Sequence, residues 1–473
     1  MRNFPSFFTE IFAKKLTRTS ERPFNIMALE VLVKFKGASR DIKLLWASVF
    51  LRLLSYGLTN QVLTLFLNAI NMTEDKIGLF MSLTLAGDVV CSYILTWYAD
   101  SWGRRRVLVY GCAMMLLSGL VFSFSENFTL LLIFAIFGVI SPSSDEVGPF
   151  KSIEEAMIAH LSPHNARPEI YAIHALVGTI GSALGAIVCG TLVDILKRTG
   201  IAATDLKCYK LVFLLYAFFA FCKMIIMLLL SDATEMDGSH DHIDNEETLE
   251  PLDVNDETAP LMRQATHPEE RSNKLSKETV SVLMKLLIIF MVDSLGSGFI
   301  TSGWMVYYYS KQFLMGPLAL GILFFVSQLV MASSTIPSSI IARCFGPVRA
   351  TLLVQIPSGI FSILIPMAKN YLPLSILFLN LHFATTAMDV TPRQILLTNI
   401  IKPRDLTKVM GVVNIGKTFA RCVGPIFTGI LANNGYLWLC YIISGSLVIT
   451  ADLILACMFL GVDAKIKEQM NRR

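Results

Sequence analysis

The chain has 473 residues, 54% of them hydrophobic and only 16% charged, with a formal net charge of +4. Too few polar groups remain to cover a water-facing surface, so this composition and a mean hydropathy of +0.58 exclude a soluble globular protein. The small positive balance comes without interleaved aromatic and basic residues, so no nucleic-acid partner is expected.

Residues 1–43 form an N-terminal extension with Lys14, Lys15, Arg18, Arg22, Lys34 and Lys36, and they delay the first apolar run too long for a cleaved signal peptide. Twelve runs then approach the roughly 20 residues that carry a helix across about 30 Å of hydrocarbon. They lie near 44–69, 76–99, 106–126, 128–150, 169–192 and 209–231, then near 281–308, 314–341, 349–368, 372–392, 406–431 and 436–461. The expected domains are bundles at 44–231 and 281–461, a linker at 232–280 and a tail at 462–473. The linker is acidic, with Asp237, Asp241, Asp244, Glu246 and Glu247 among polar residues, and reads as disordered. Within it, Glu257-Thr-Ala-Pro-Leu-Met262 looks like an acidic dileucine signal, which leaves a plasma or a vacuolar/lysosomal membrane as the expected location. Short loops carrying Arg104, Arg105, Arg106, Arg167, Arg349 and Arg404 place both termini in the cytoplasm by the positive-inside rule. Nine cysteines are scattered without metal-ligand spacing, so no metal or cofactor is expected.

The chain is built twice. Tyr98-Ala-Asp-Ser-Trp-Gly-Arg-Arg-Arg-Val-Leu108 has an echo 243 positions later, in Ile341-Ala-Arg-Cys-Phe-Gly-Pro-Val-Arg349. At the same offset Gly103 meets Gly346, and Glu146-Val-Gly-Pro149 meets Asp389-Val-Thr-Pro392. Gly185 to Leu192 answers Gly424 to Leu431 at offset 239, as one shorter loop would produce. Duplicated membrane halves point to a transporter.

Asp100-x-x-Gly103-Arg104-Arg105 after the second span resembles the loop signature of the major facilitator superfamily, with Thr96 where glycine is usual and Ser101 where a basic residue is usual. The stretches 141–155 and 387–394 resemble a branch of that superfamily found in bacteria and fungi. The resemblance implies an all-α membrane protein of twelve transmembrane helices in two pseudo-symmetric six-helix bundles. Spans 1, 4, 7 and 10 would line a central cavity, and spans 2, 5, 8 and 11 would form the moving interface. The fifth span lacks the Gly-Pro of the antiporter signature, so antiport is not assigned.

Ionisable groups at bilayer depth are costly and mark sites. Arg52 lies about nine residues, roughly 14 Å, into the first span, and aligning Gly57 with Gly298 sets Asp293 at the same depth. Arg52, Tyr56 and Asn60 share one helix face, and with Asp293, His382 and Asp389 they are the candidate substrate or coupling residues. Asp389 with Arg393 has the i, i+4 spacing of an ion pair. Asp88 and Lys417, with Arg421 one turn on, are candidates for a gate between the halves. Asp100, Gly103, Arg104, Arg105 and Glu146 are candidates for a conformational latch at the cytoplasmic loop. Lys223 is expected to snorkel, and Trp304 with Tyr307, Tyr308 and Tyr309 to form an interfacial aromatic belt ahead of a gate.

The expectation is a secondary transporter of a small solute, acting as a monomer in the lipid bilayer, with protons as the candidate coupling ion. No Gly-x-x-x-x-Gly-Lys-Ser/Thr loop and no catalytic cluster suggest ATP use or an enzyme. The rival is a non-transporting sensor or scaffold that keeps the same fold.

Overall fold

The computed structural model describes residues 38–138, 140, 149–162, 167–235, 277–401 and 403–472. The N-terminal extension, Glu146 and nearly all of the acidic linker therefore lie outside the described residues. Among the described residues there is no strand, and the helices run as twelve passes.

The first half comprises α1 (Arg40–Ala69), α2 (Glu74–Trp102), α3 (Arg104–Phe124), α4 (Phe128–Phe137), α5 (Pro149–Leu161), α6 (Arg167–Arg198) and α7 (Asp205–Leu228). The second comprises α8 (Lys277–Phe299), α9 (Ser302–Gln312), α10 (Pro317–Phe345), α11 (Pro347–Met367), α12 (Leu372–Ala387), α13 (Val390–Ile400), α14 (Pro403–Asn433) and α15 (Leu437–Arg472). Packing repeats between them. α1 lies on α6 and α7 as α8 lies on α14 and α15, and α3 lies on α7 as α11 lies on α15.

Three spans expected to be single helices are interrupted. The seventh divides into α8 and α9, the tenth into α12 and α13, and the fourth into α4 and α5. A broken helix frees carbonyls that hydrocarbon cannot solvate, so protein donors must meet them. Tyr216 Oη donates to Gly138 O at 2.8 Å, Thr428 Oγ1 to Phe299 O at 2.8 Å, and Ser338 Oγ to Met388 O at 2.6 Å. The tenth pass reaches Ile400 rather than 392, and Asp389 becomes the residue preceding α13.

Glycines fix the crossings. A Cβ on Gly57 would collide with the Ser182 carbonyl and Gly185, and one on Gly424 would collide with Gly298. The pairs Gly57/Gly185 and Gly298/Gly424 are therefore the same crossing built twice, in the register the repeat predicts. Between the halves, α2 packs on α14 and α6 on α10. Here Gly78 abuts Pro425 and Gly429, and Gly190 abuts Pro317 and Gly321. These contacts sit at the end of the molecule opposite the termini. Gly78→Val should prop that end apart. Engineered cysteines on α2 and α14 near that end should then label faster from the far side, and unchanged labelling would refute the seal.

Candidate functional site

At mid-depth each half holds a buried ion cluster, and the two are mirror images in charge. In the first half Glu154 of α5 is fully buried. It takes Arg52 Nη2 at 3.2 Å, Lys223 Nζ at 3.2 Å and a hydrogen bond from Ser48 Oγ at 2.9 Å. In the second half Arg393 of α13 donates to Asp293 through Nη1 at 2.6 Å and Nη2 at 3.0 Å. It also pairs with Asp389 through Nε and lies 3.9 Å from Asp452. Gln355 donates to Asp389 Oδ2 at 2.9 Å.

The three positions correspond between the halves. Arg52 and Asp293 each stand five residues before the crossing glycine of spans 1 and 7. Glu154 and Arg393 follow the breaks of spans 4 and 10, separated by the 239 positions that also relate Gly185 to Gly424. Lys223 and Asp452 come from spans 6 and 12. The first cluster reads plus, minus, plus, and the second minus, plus, minus. A buried charge is tolerable only when paired, so each half satisfies its own ions.

The expected residues fall out as follows. Arg52 and Asp293 are each bound within their own half. The Asp389 to Arg393 pair is formed. Lys223 does not snorkel. It is fully buried, with its ammonium 3.6 Å from the centre of the Phe150 ring and beside Glu154, because a partner carboxylate lies at its own depth. His382 packs its Nδ1 2.9 Å from Ser358 Oγ, which in turn meets Thr386 Oγ1 at 2.6 Å.

Asp88 is buried on α2, and neither carboxylate oxygen has a hydrogen-bond partner among the described residues. The charge acting on it here is that of Arg52. Lys417 and Arg421 lie within electrostatic reach of Asp293. Tyr56 is half-buried and Asn60 buried, the latter facing Gly303 of α9.

Trp304, Tyr307, Tyr308 and Tyr309 are buried, not arrayed as a belt at the lipid interface. The break before α9 swings them inward, and Tyr307 Oη reaches Asn68 Oδ1 at 3.1 Å and Glu74 Oε1 at 2.7 Å in the other half. This aromatic segment belongs to the far-end seal.

At the loop motif Gly103 has φ +93°, a conformation that favours glycine, and Gly346 repeats it at φ +88°. Each turn is followed by a carboxylate capping the next helix. Glu235 accepts from Arg104 N at 2.7 Å and Arg105 N at 2.9 Å, and Asp463 accepts from Val348 N at 2.8 Å. Arg105 also meets Asp232 at 3.2 Å. The Asp100 side chain and Glu146 lie outside the described residues. Sequence reading missed Glu235, Asp463 and Glu154.

Two helical halves with the same packing, each holding a buried ion cluster, make up a duplicated multi-pass membrane fold. The chain belongs to the Major Facilitator Superfamily, which it matches over residues 45–283 and 286–471. A membrane protein of Saccharomyces cerevisiae, YJR124C, is 94% identical over 447 residues, covering 94% of this chain and all of that one. Among solved structures, the nucleoside transporter NupG superposes with a TM-score of 0.65 at 12% identity, covering 89% of this chain and 100% of that one. The xylose transporter XylE from E. coli, in an inward open conformation, gives a TM-score of 0.63 at 15% identity over 88% of this chain and 95% of that one. These two likenesses concern the fold.

Proposed function

We propose that the protein is a secondary transporter that carries a small solute by alternating access, as a monomer with both termini in the cytoplasm. The observation that supports this most is the distribution of contacts between the halves. Glycine crossings and the Tyr307 hydrogen bonds join them at the far end, while the ion clusters at mid-depth are each closed within one half. Two rigid bodies joined at one end can rock about a central site, whereas a scaffold needs no such divided construction.

In this reading Arg52, Tyr56, Asn60, Asp293, His382 and Asp389 face or support the solute site, and protons are the coupling ion. Asp88, Lys417 and Arg421 are the gate that forms when the cytoplasmic side closes. Asp100, Gly103, Arg104, Arg105 and Glu146 form the latch at that side, and Glu235 belongs with them because it caps the same turn.

The test is counterflow in proteoliposomes preloaded with a cytosolic small-molecule extract, reading by mass spectrometry which compounds exchange, with and without an imposed pH gradient. Exchange of at least one solute, absent from empty liposomes, is the expected result. No protein-dependent exchange across the whole extract would replace this reading with the sensor or scaffold. The cellular membrane is addressed separately, by whether disrupting Leu261 and Met262 redistributes a tagged protein between the plasma and vacuolar membranes.

A further inference from the structure

A recess of about 450 Å³ opens between α1, α5 and α6, beside the first ion cluster. Its polar lining comprises Arg52, Lys151, Glu155, Tyr171, His174 and Thr179, whose hydroxyl donates to the Ala175 carbonyl. Two of these side chains have hydrogen-bonding capacity that the protein leaves unused. Arg52 commits Nη2 to Glu154, but its buried Nε has no partner among the described residues. His174 is 5% exposed, and neither ring nitrogen has a partner among the described residues. Both side chains line the same recess.

Unmet donors this deep cost free energy unless something fills them, so their convergence on one recess is itself information about a ligand. By contrast Tyr171 Oη is already spent on the Glu155 carbonyl at 2.9 Å. We infer that this recess holds the carboxylate of an organic acid, with Arg52 Nε–H donating to one oxygen and the imidazole N–H of His174 to the other. The inference rests on the transporter reading, and it names the solute class of that site.

The charge count selects a monovalent group. Counted with the cluster behind the wall, the cations of Arg52, Lys151 and Lys223 stand against the carboxylates of Glu154 and Glu155, a surplus of one positive charge. One carboxylate balances that surplus. A phosphate dianion would bring a second negative charge against Glu154 and Glu155 with no further cation on the wall. The volume also suits a small molecule and is at the lower end of usual ligand pockets. Val49 and Leu53 line the recess as well and offer apolar contact for the acid's carbon skeleton.

The test uses the full purified chain in detergent and follows its thermal unfolding midpoint. The probes are acetate, butyrate and benzoate, each against its primary amide, with sodium chloride at matched ionic strength. Inorganic phosphate and phenyl phosphate form a separate arm. At least one carboxylate should raise the midpoint where its amide and chloride do not, and phosphates should do less. Arg52→Gln should abolish the response but risks misfolding, because it breaks the Glu154 pair. His174→Phe keeps the ring shape and removes groups that bond nothing here, so it should fold. It should weaken the carboxylate response by roughly tenfold or more in apparent affinity, the worth of one charge-assisted hydrogen bond. Equal effects of acids and amides, a stronger response to phosphates, or an intact response in His174→Phe would each overturn the inference. Exchange of only uncharged solutes in the liposome assay would overturn it while leaving the transporter standing.

Discussion

Arg393→Leu should be among the most damaging single substitutions in the second half. Its guanidinium serves Asp293 through two hydrogen bonds, pairs with Asp389 and lies 3.9 Å from Asp452, and all three carboxylates are buried. Removing the cation leaves three acids facing one another without it. Breaking even one buried pair costs about 3 to 5 kcal/mol, which is a large share of the stability of a typical domain. Protein level in the membrane should drop several-fold, and the unfolding midpoint of what remains should fall. Arg393→Lys should lie between the two, because an ammonium restores the charge but cannot serve Asp293 in two-pronged fashion while reaching Asp389. Asp293→Asn placed on top of Arg393→Leu should recover part of the loss by removing one of the stranded charges. Normal abundance and midpoint in Arg393→Leu would mean the cluster adds nothing to stability.

Much of this architecture was legible in the sequence, because hydrophobic length and repeat register are local and additive signals. The glycines aligned by the repeat, Gly185 with Gly424 and Gly57 with Gly298, prove to meet one another at the same crossing in both halves. The matching position of Arg52 and Asp293, each five residues before its crossing glycine, was legible too. Partnership was not. Glu154 looked like a cytoplasmic residue because the fourth apolar run ends near 150, whereas α5 runs from Pro149 to Leu161 and buries it in the interior.

With Glu154 outside the membrane Lys223 had no carboxylate beside it, and so it was expected to snorkel. A sign was available. Pro149 to Leu161 alternates apolar and polar residues at helical spacing, as a continued helix with one buried face would. The aromatic segment failed for a related reason. Apolar runs do not announce a break, and only the turn at Thr301 decides whether Trp304 and its neighbours face lipid or the other half.

Charge reversal across the halves is where the largest functional effect is expected. Asp88 is a buried carboxylate on the helix that packs against α14, and in this conformation it has no hydrogen-bond partner among the described residues. Lys417 and Arg421, on α14, act on Asp293 here. A rocking motion of one half against the other would shift α14 along α2 and offer Lys417 a choice between Asp293 and Asp88. A cation shared in turn by two carboxylates gives each state a partner the other lacks, which is how a ligand-free charge can set a two-state balance. Asp88→Asn and Lys417→Gln should therefore each reduce exchange about tenfold or more, since a buried unpaired charge in one state shifts the equilibrium by several kcal/mol. Asp88→Lys combined with Lys417→Asp should regain a substantial part of the lost exchange, at equal protein level. The rescue should be incomplete, because an aspartate at 417 would face Asp293 when the near end opens. Losses that simply add in this cycle, with no recovery in the swapped pair, would separate Asp88 from Lys417 and leave Arg421 as the cation to test against it.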